Sequence, residues 1–181
     1  MALQAGRYTL EGRITLQTSR DGLAAQAGHD LTIDVGTWSG ELVIGADLAP
    51  SGLDVRVELG SLIVRAGTGG IKPLTDRDKR EILATARKVL SADRHPEVSF
   101  TASSFSPAAD GGVIDGTLTL AGRSGPLRLD VREIGPDRYV ATATVRQTNF
   151  GIKPYSGFLG ALKVSDEVAV DVEVGLTLAP G

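Results

Sequence analysis

The chain has 181 residues, no cysteine, two histidines (His29 and His95) and a formal net charge of -3. That length suits a single domain, 1–181, that buries roughly 70% of its unfolded surface without staples, and the composition excludes disulfides, thiol catalysis, cysteine-ligated zinc and a histidine-rich metal site. Charges of both signs are interspersed, so no run of lysine and arginine marks a nucleic-acid or anionic-membrane footprint, and no apolar stretch approaches the ~20 residues that span a bilayer.

The opening, MALQAGRYTLEG, lacks the basic start and apolar core of a signal peptide. The chain as given is therefore expected in the cytoplasm. A chain already relieved of a leader would read the same and belong in the periplasm or outside the cell.

Tyr8, Leu10, Gly12, Ile14 and Leu16 alternate with Thr9, Glu11, Arg13 and Thr15, the period-2 pattern of a strand with one dry face. Arg20-Asp21-Gly22 carries a tight-turn signal. A second strand is predicted from Leu23 to Val35, with Leu23, Ala25, Ala27, His29, Leu31, Ile33 and Val35 on one side. A third covers Trp38 and Glu41–Ile44, Ala49-Pro50-Ser51-Gly52 is a turn, and a fourth runs from Leu53 through a bulge at Gly60 into Val64. Residues 65–74 read as a glycine-rich connection without the features of a phosphate loop.

The one convincing helix is predicted from Asp76 to Val89, with Thr75 as N-cap, Asp78 at capping-box spacing and Arg87 and Lys88 near its end. Ile82, Leu83, Ala86, Val89 and Leu90 form its apolar stripe, so it should lie on a sheet edge or close one end of a barrel. Pro96 restarts extended structure. Strands follow over Val98–Ala102, Ile114–Leu120, Leu127–Val131 and Tyr139–Gln147, with turns at 110–112 and 122–126. The last, Glu167–Leu178, puts Val168, Val170, Val172, Val174, Leu176 and Leu178 on one parity. Eight to ten short antiparallel strands with one helix imply an all-β barrel or sandwich.

Little in the chain invites catalysis. His29 falls on the apolar parity, beside Asp30, and Ser61 or Ser156 would have to serve as nucleophile. Adjacent strand residues point to opposite faces and there is no G-x-S-x-G elbow, so His29 is expected to be a histidine hydrogen-bonded within the fold, and the protein is expected not to be an enzyme. No carboxylate spacing matches a calcium loop or an acid/base dyad. Arg146 shares the parity of Thr142 and Thr144 and should face outward. The insert from Phe150 to Leu162 carries Phe150, Ile152, Tyr155, Phe158 and Leu159 with no period of its own. It is either a lid that completes the core or the wall of an apolar cavity.

An ordered series of short motifs resembles the YceI-like family. These are GRYTLEGRITLQTSRDGLAAQAGHDLTIDVGTWSGEL, VRVELGSLIV, LSADRHPEVSFTASSF, GVIDGTLTLAGRSGPLRLDV and ATVRQTNFGIKPYSGFLGALKVSDEVAVDVEV. Together they run from about Gly6 to Leu178. The chain departs from the usual pattern in having neither a secretion signal nor the D-x-x-H-S opening; GHD at 28–30 stands later. The resemblance implies an antiparallel eight-stranded lipocalin-like β-barrel carrying a polyisoprenoid or other long-chain lipid; no other cofactor is expected, and composition and charge give no expectation of a metal, a nucleic-acid partner or a transmembrane segment.

Small residues on the inward parity, Ala25, Ala27, Gly116, Ala141 and Ala143, would leave volume that a close-packed protein must fill. The expected wall is Leu16, Ala27, Leu31, Ile33, Phe100, Leu118, Ala143 and Val172, with His29 among the ligand-side residues and Phe150, Tyr155 and Phe158 near the mouth. A ligand-free packed barrel serving as a stress-related or interaction module is the alternative, told apart by interior volume. Exposed edge strands would offer a route to a homodimer.

Overall fold

Residues 3–160 and 162–181 are described by a computed structural model. In chain order the strands are β1 (Gly6–Thr18), β2 (Arg20–Asp21), β3 (His29–Val35), β4 (Trp38–Ile44), β5 (Pro50–Glu58) and β6 (Leu62–Gly69). Helix α1 (Asp76–Val89) follows, then β7 (Glu97–Ala108), β8 (Gly111–Leu120), β9 (Arg123–Gly135), β10 (Arg138–Arg146), β11 (Ser156–Gly157), β12 (Leu162–Val164) and β13 (Glu167–Leu178).

Strands β1, β4, β5, β7, β8, β9, β10 and β13 pair antiparallel in that order, and β13 pairs back onto β1 from Tyr8↔Leu178 to Gln17↔Ala169. The result is a closed eight-stranded barrel, as the resemblance implied. β3 and β4 act as one bent strand along β1, with β4 against Gly6–Thr9 and β3 against Thr15–Thr18. β5 and β6 bend likewise at a 3-10 turn, Leu59–Ser61, and the two bends are tied by Gly36 N donating to Ser61 O and Glu58 N to Thr37 O. The β3–β6 pair thus extends past the barrel, and α1 follows it across that end.

The helix bounds and cap agree with the sequence reading. Asp78 N donates to the Thr75 hydroxyl at 3.1 Å while Thr75 N donates to the Asp78 carboxylate at 2.8 Å, a reciprocal capping box.

Several predicted boundaries are corrected. Residues 23–28 are not strand: Gly22 turns the chain and Ala25–Ala27 form a 3-10 turn. Their apolar members are mostly alanines, which drive little burial, so the alternation there carried no packing information. The glycine-rich connection starts five residues later than expected, because Arg65–Gly69 continue β6 against β3. The turn at 49–52 lies instead at Gly45–Ala49, and Pro50 opens β5. Pro126 sits inside β9 without breaking it. β10 pairs with β9 only between Asp130 and Gly135, so β10 asks no N–H of Pro126.

Buried apolar side chains fall into two clusters rather than one. Ile14, Ile33, Val35, Leu59, Leu62, Val64 and Ala92 form the first, and Leu53, Phe100, Leu118, Leu120, Phe150 and Ile152 the second. No large side chain among the described residues is completely buried. Among these residues, no helix is long and apolar enough to cross a membrane.

Candidate ligand cavity

The period-2 strands aim one parity inward, and those side chains do not meet in the middle. They enclose a cavity of about 1160 Å³. β13 contributes Val168, Val170, Val172, Val174 and Leu176; β1 contributes Leu10, Ile14 and Leu16; β10 contributes Tyr139, Ala141 and Val145. The volume exceeds the ~300–1,000 Å³ of ordinary small-molecule pockets.

The cavity runs from one end of the barrel to the other. At the far end it meets Leu3, Ala49, Pro50, Pro107, Gly111 and Gly112, near the β4–β5 and β7–β8 turns. At the near end it meets Arg20, His29, Ile71, Lys72, Leu74, Tyr155 and Leu162, with Asp78, Glu81, Ile82, Thr85 and Ala86 of α1. The wall between is aliphatic and polar side chains gather at the near end, so the cavity is chemically asymmetric.

Of the sequence-predicted residues, Leu16, Ala27, His29, Leu31, Ile33, Phe100, Leu118, Tyr155 and Val172 lie on the cavity wall. Two do not. Ala143 is buried, but its methyl stops short of the cavity that its cross-strand partner Val170 lines. Phe150, 3% exposed, packs with Ile152 in the second core cluster, its ring against Gly125 rather than at the mouth. The side chain of Phe158 lies outside the described features.

Gly116 also fails to leave free volume. A Cβ there would meet the Phe100 ring at 2.5 Å, so that ring occupies the space the glycine opens. Arg20, Lys72 and the helix residues were missed. The α1 stripe was the available signal for Ile82 and Ala86, whereas Arg20 and Lys72 reach the cavity only through the topology.

The insert divides between its two expected roles. Phe150 and Ile152 complete the core, and Tyr155 and Leu162 line the cavity. Its ends are latched: Thr148 donates its backbone N–H and its hydroxyl to the Asp166 carboxylate at 2.8 and 2.6 Å, and Gln147 donates its side-chain N–H to Ser165 O at 3.0 Å. The Thr148 hydroxyl foremost, then its amide and the Arg146 charge, hold the Asp166 carboxyl below the ordinary aspartate range. Arg146 itself faces outward, paired with Glu167 at 2.6 Å.

At the near end the His29 Nε2–H donates to Lys72 O at 2.7 Å, and the ring packs so closely on Gly70 that a Cβ there would overlap it. Arg20 donates to Gly28 O at 2.7 Å and lies 3.7 Å from Asp30. Thr75, through its amide first, holds the Asp78 carboxyl below its ordinary range. Burial first, then the charges of Glu133 and Asp137, push the Tyr139 hydroxyl up.

Among the described residues the hydrogen bond of the His29 ring goes to Lys72 O and not to Asp30, Ser61 or Ser156. The Ser61 hydroxyl donates to Glu58 O at 2.6 Å, and Asp30 is engaged by Arg20. Among the described residues no group of three His, Asp or Glu side chains comes together to hold a metal.

Similar barrels exist among solved structures. BcnA of Burkholderia cenocepacia superposes with a TM-score of 0.62 at 12% identity, covering 92% of this chain and 96% of its own. A Campylobacter jejuni YCEI protein gives 0.61 at 15% identity, covering 82% and 85%. At such identities they speak for the fold alone. A comparison with curated proteins gives no match. The sequence itself matches the YceI-like domain over residues 12–176, nearly the whole barrel, and the chain belongs to the YceI-like family.

Proposed function

We propose that the protein binds and carries a long-chain apolar lipid, a polyisoprenoid or a similar isoprenoid or fatty-acyl chain, without performing chemistry on it. The observation that carries this reading is the aliphatic-walled cavity of about 1160 Å³ running the length of the barrel. An empty apolar space forfeits the contacts that a close-packed interior makes. A slender chain recovers about 0.8 kcal/mol per buried methylene, so ten come to about 8 kcal/mol before ordering costs.

The asymmetry of the ends suits an amphiphile. Arg20, His29, Lys72 and Tyr155 stand where a polar head group would sit, and Leu16, Leu31, Ile33, Phe100, Leu118 and Val172 stand along the tail. The alternative of a ligand-free packed barrel requires a filled interior, and the cavity volume weighs against it.

The test is displacement of a fluorescent long-chain fatty-acyl probe. The wild-type protein should bind the probe and release it to competing isoprenoids. Ala141→Phe puts a ring into the lumen in place of about two methylenes and should weaken binding about tenfold. Wild-type protein that takes up no probe after delipidation, or an Ala141→Phe variant that binds it unchanged, counts against lumenal carriage.

A further inference from the structure

We propose that the loops around the near end of the cavity dock on a lipid bilayer bearing anionic head groups, bringing the lumen to the membrane surface. Docking takes its use from the carriage reading above and its geometry from separate observations.

The first is apolar exposure. Leu23, Ile71 and Leu159 are the most exposed large apolar side chains among the described residues, at 101%, 79% and 109%. They come from three loops, yet these loops form one rim. Strand β2, next to Leu23, pairs with β12, next to Leu159, through Asp21↔Lys163 and Arg20↔Val164. Gly28 packs on the Leu162 side chain, and Gly69, beside the Ile71 loop, packs on the Arg20 guanidinium. Ile71 also lines the cavity, so the rim is its mouth.

Leu159 adds a backbone observation. It is held at φ 55, ψ 33, left-handed geometry that is unfavourable for a bulky L-residue, with its side chain wholly in water. Leu48 at the far end shares the left-handed backbone at φ 62, so it is the full exposure of Leu159 that burial in a bilayer would relieve.

The second observation is charge. Lys72 and Lys163 stand exposed at the near end of the cavity, and Lys153 is exposed on the insert that carries Leu159. Every ion pair among the described residues uses arginine, and none engages these lysines. Of the nearby acids, Asp30 pairs with Arg20 and Glu81 with Arg77, whereas Asp21, across from Lys163, and the threonine-bonded Asp78 and Asp166 keep their charge, so the lysines act as separate contact points rather than as a net positive patch. The far-end turns carry Asp47, Asp110 and Asp137 and no lysine. No basic run marks this footprint in the sequence, because the fold assembles it from separate loops. Apolar side chains that insert, flanked by lysines that reach head groups, are the two signals that hold a protein on an anionic bilayer.

The experiment is co-sedimentation with phosphatidylcholine vesicles, with and without about a third phosphatidylglycerol, at low ionic strength. Wild-type protein should bind the anionic vesicles more tightly and lose that preference in salt. Leu23→Asp with Leu159→Asp should lower binding about tenfold or more. Lys153→Glu with Lys163→Glu should lower it about tenfold on anionic vesicles only. Leu48→Asp, at the far end, should change nothing.

Docking is overturned by a wild type that ignores vesicles, by rim variants that bind like wild type, or by a Leu48→Asp loss as large as theirs. It is equally overturned if the wild type is a dimer in solution that Leu23→Asp with Leu159→Asp dissociates, for the rim would then belong to a second copy. Bound lipid measured in the same preparations separates the two readings. Lipid without vesicle binding sinks docking alone; vesicle binding with an empty lumen sinks carriage alone.

Discussion

Phe150 and Tyr155 lie five positions apart in one insert and serve different ends. Phe150 is enclosed by the second core cluster, so Phe150→Ala should cost about 3–5 kcal/mol in urea unfolding. Tyr155 lines the cavity with much of its surface exposed, so Tyr155→Ala should leave the urea midpoint nearly unchanged and act on ligand affinity instead. Equal loss of stability in both would contradict the partition. Gly116 gives a second contrast, since a Cβ there would press on the Phe100 ring and on Thr101 O, both at 2.5 Å. Gly116→Ala should therefore destabilise by about 1–3 kcal/mol, whereas Ala141→Phe, which grows into free space, should destabilise little. None of this was legible from parity. Alternation says which face a residue takes, not whether a neighbour's ring already fills the space in front of it.

The elements differ in how plainly they could be read. β13 announces itself through alternation of branched apolar side chains with mostly polar ones, β1 and β10 through a looser alternation, and α1 through its cap and stripe. Segment 23–28 has the same parity, but past Leu23 its apolar residues are all alanine, and it turns instead. The 147–166 insert has no period at all, so its division between core and cavity is set by tertiary packing alone. Its latch makes a pH prediction. Asp166 titrates below the ordinary aspartate range when folded, so its stabilising contribution is complete above that range and disappears as pH falls through the lowered folded value. Hydrogen exchange at the Thr148 amide should stay slow down to the ordinary aspartate range and quicken only below it. Asp166→Asn should remove that pH dependence; loss of protection already near neutral pH in the wild type would contradict the latch.

At the scale of the molecule, closure of β13 on β1 leaves the lumen as the place where the barrel is incompletely packed. The barrel class followed from strand count, alternation and family resemblance. The cavity did not, because a lumen of this kind depends on how far opposing side chains stand apart, and spacing along a chain is silent on that. A lipid that fills it should stabilise the fold by mass action, about 2.7 kcal/mol at a hundredfold excess over Kd, raising Tm by about 5–10 °C over the delipidated protein. A Tm indifferent to long-chain isoprenoid and fatty-acyl lipids would speak against occupancy.

Native mass spectrometry of the purified protein bears most directly on lumenal carriage. The expected spectrum shows the polypeptide plus one lipid, with the extra mass lost on denaturation and recovered as a long-chain apolar molecule. A spectrum of bare polypeptide, unchanged after incubation with such lipids, would contradict it.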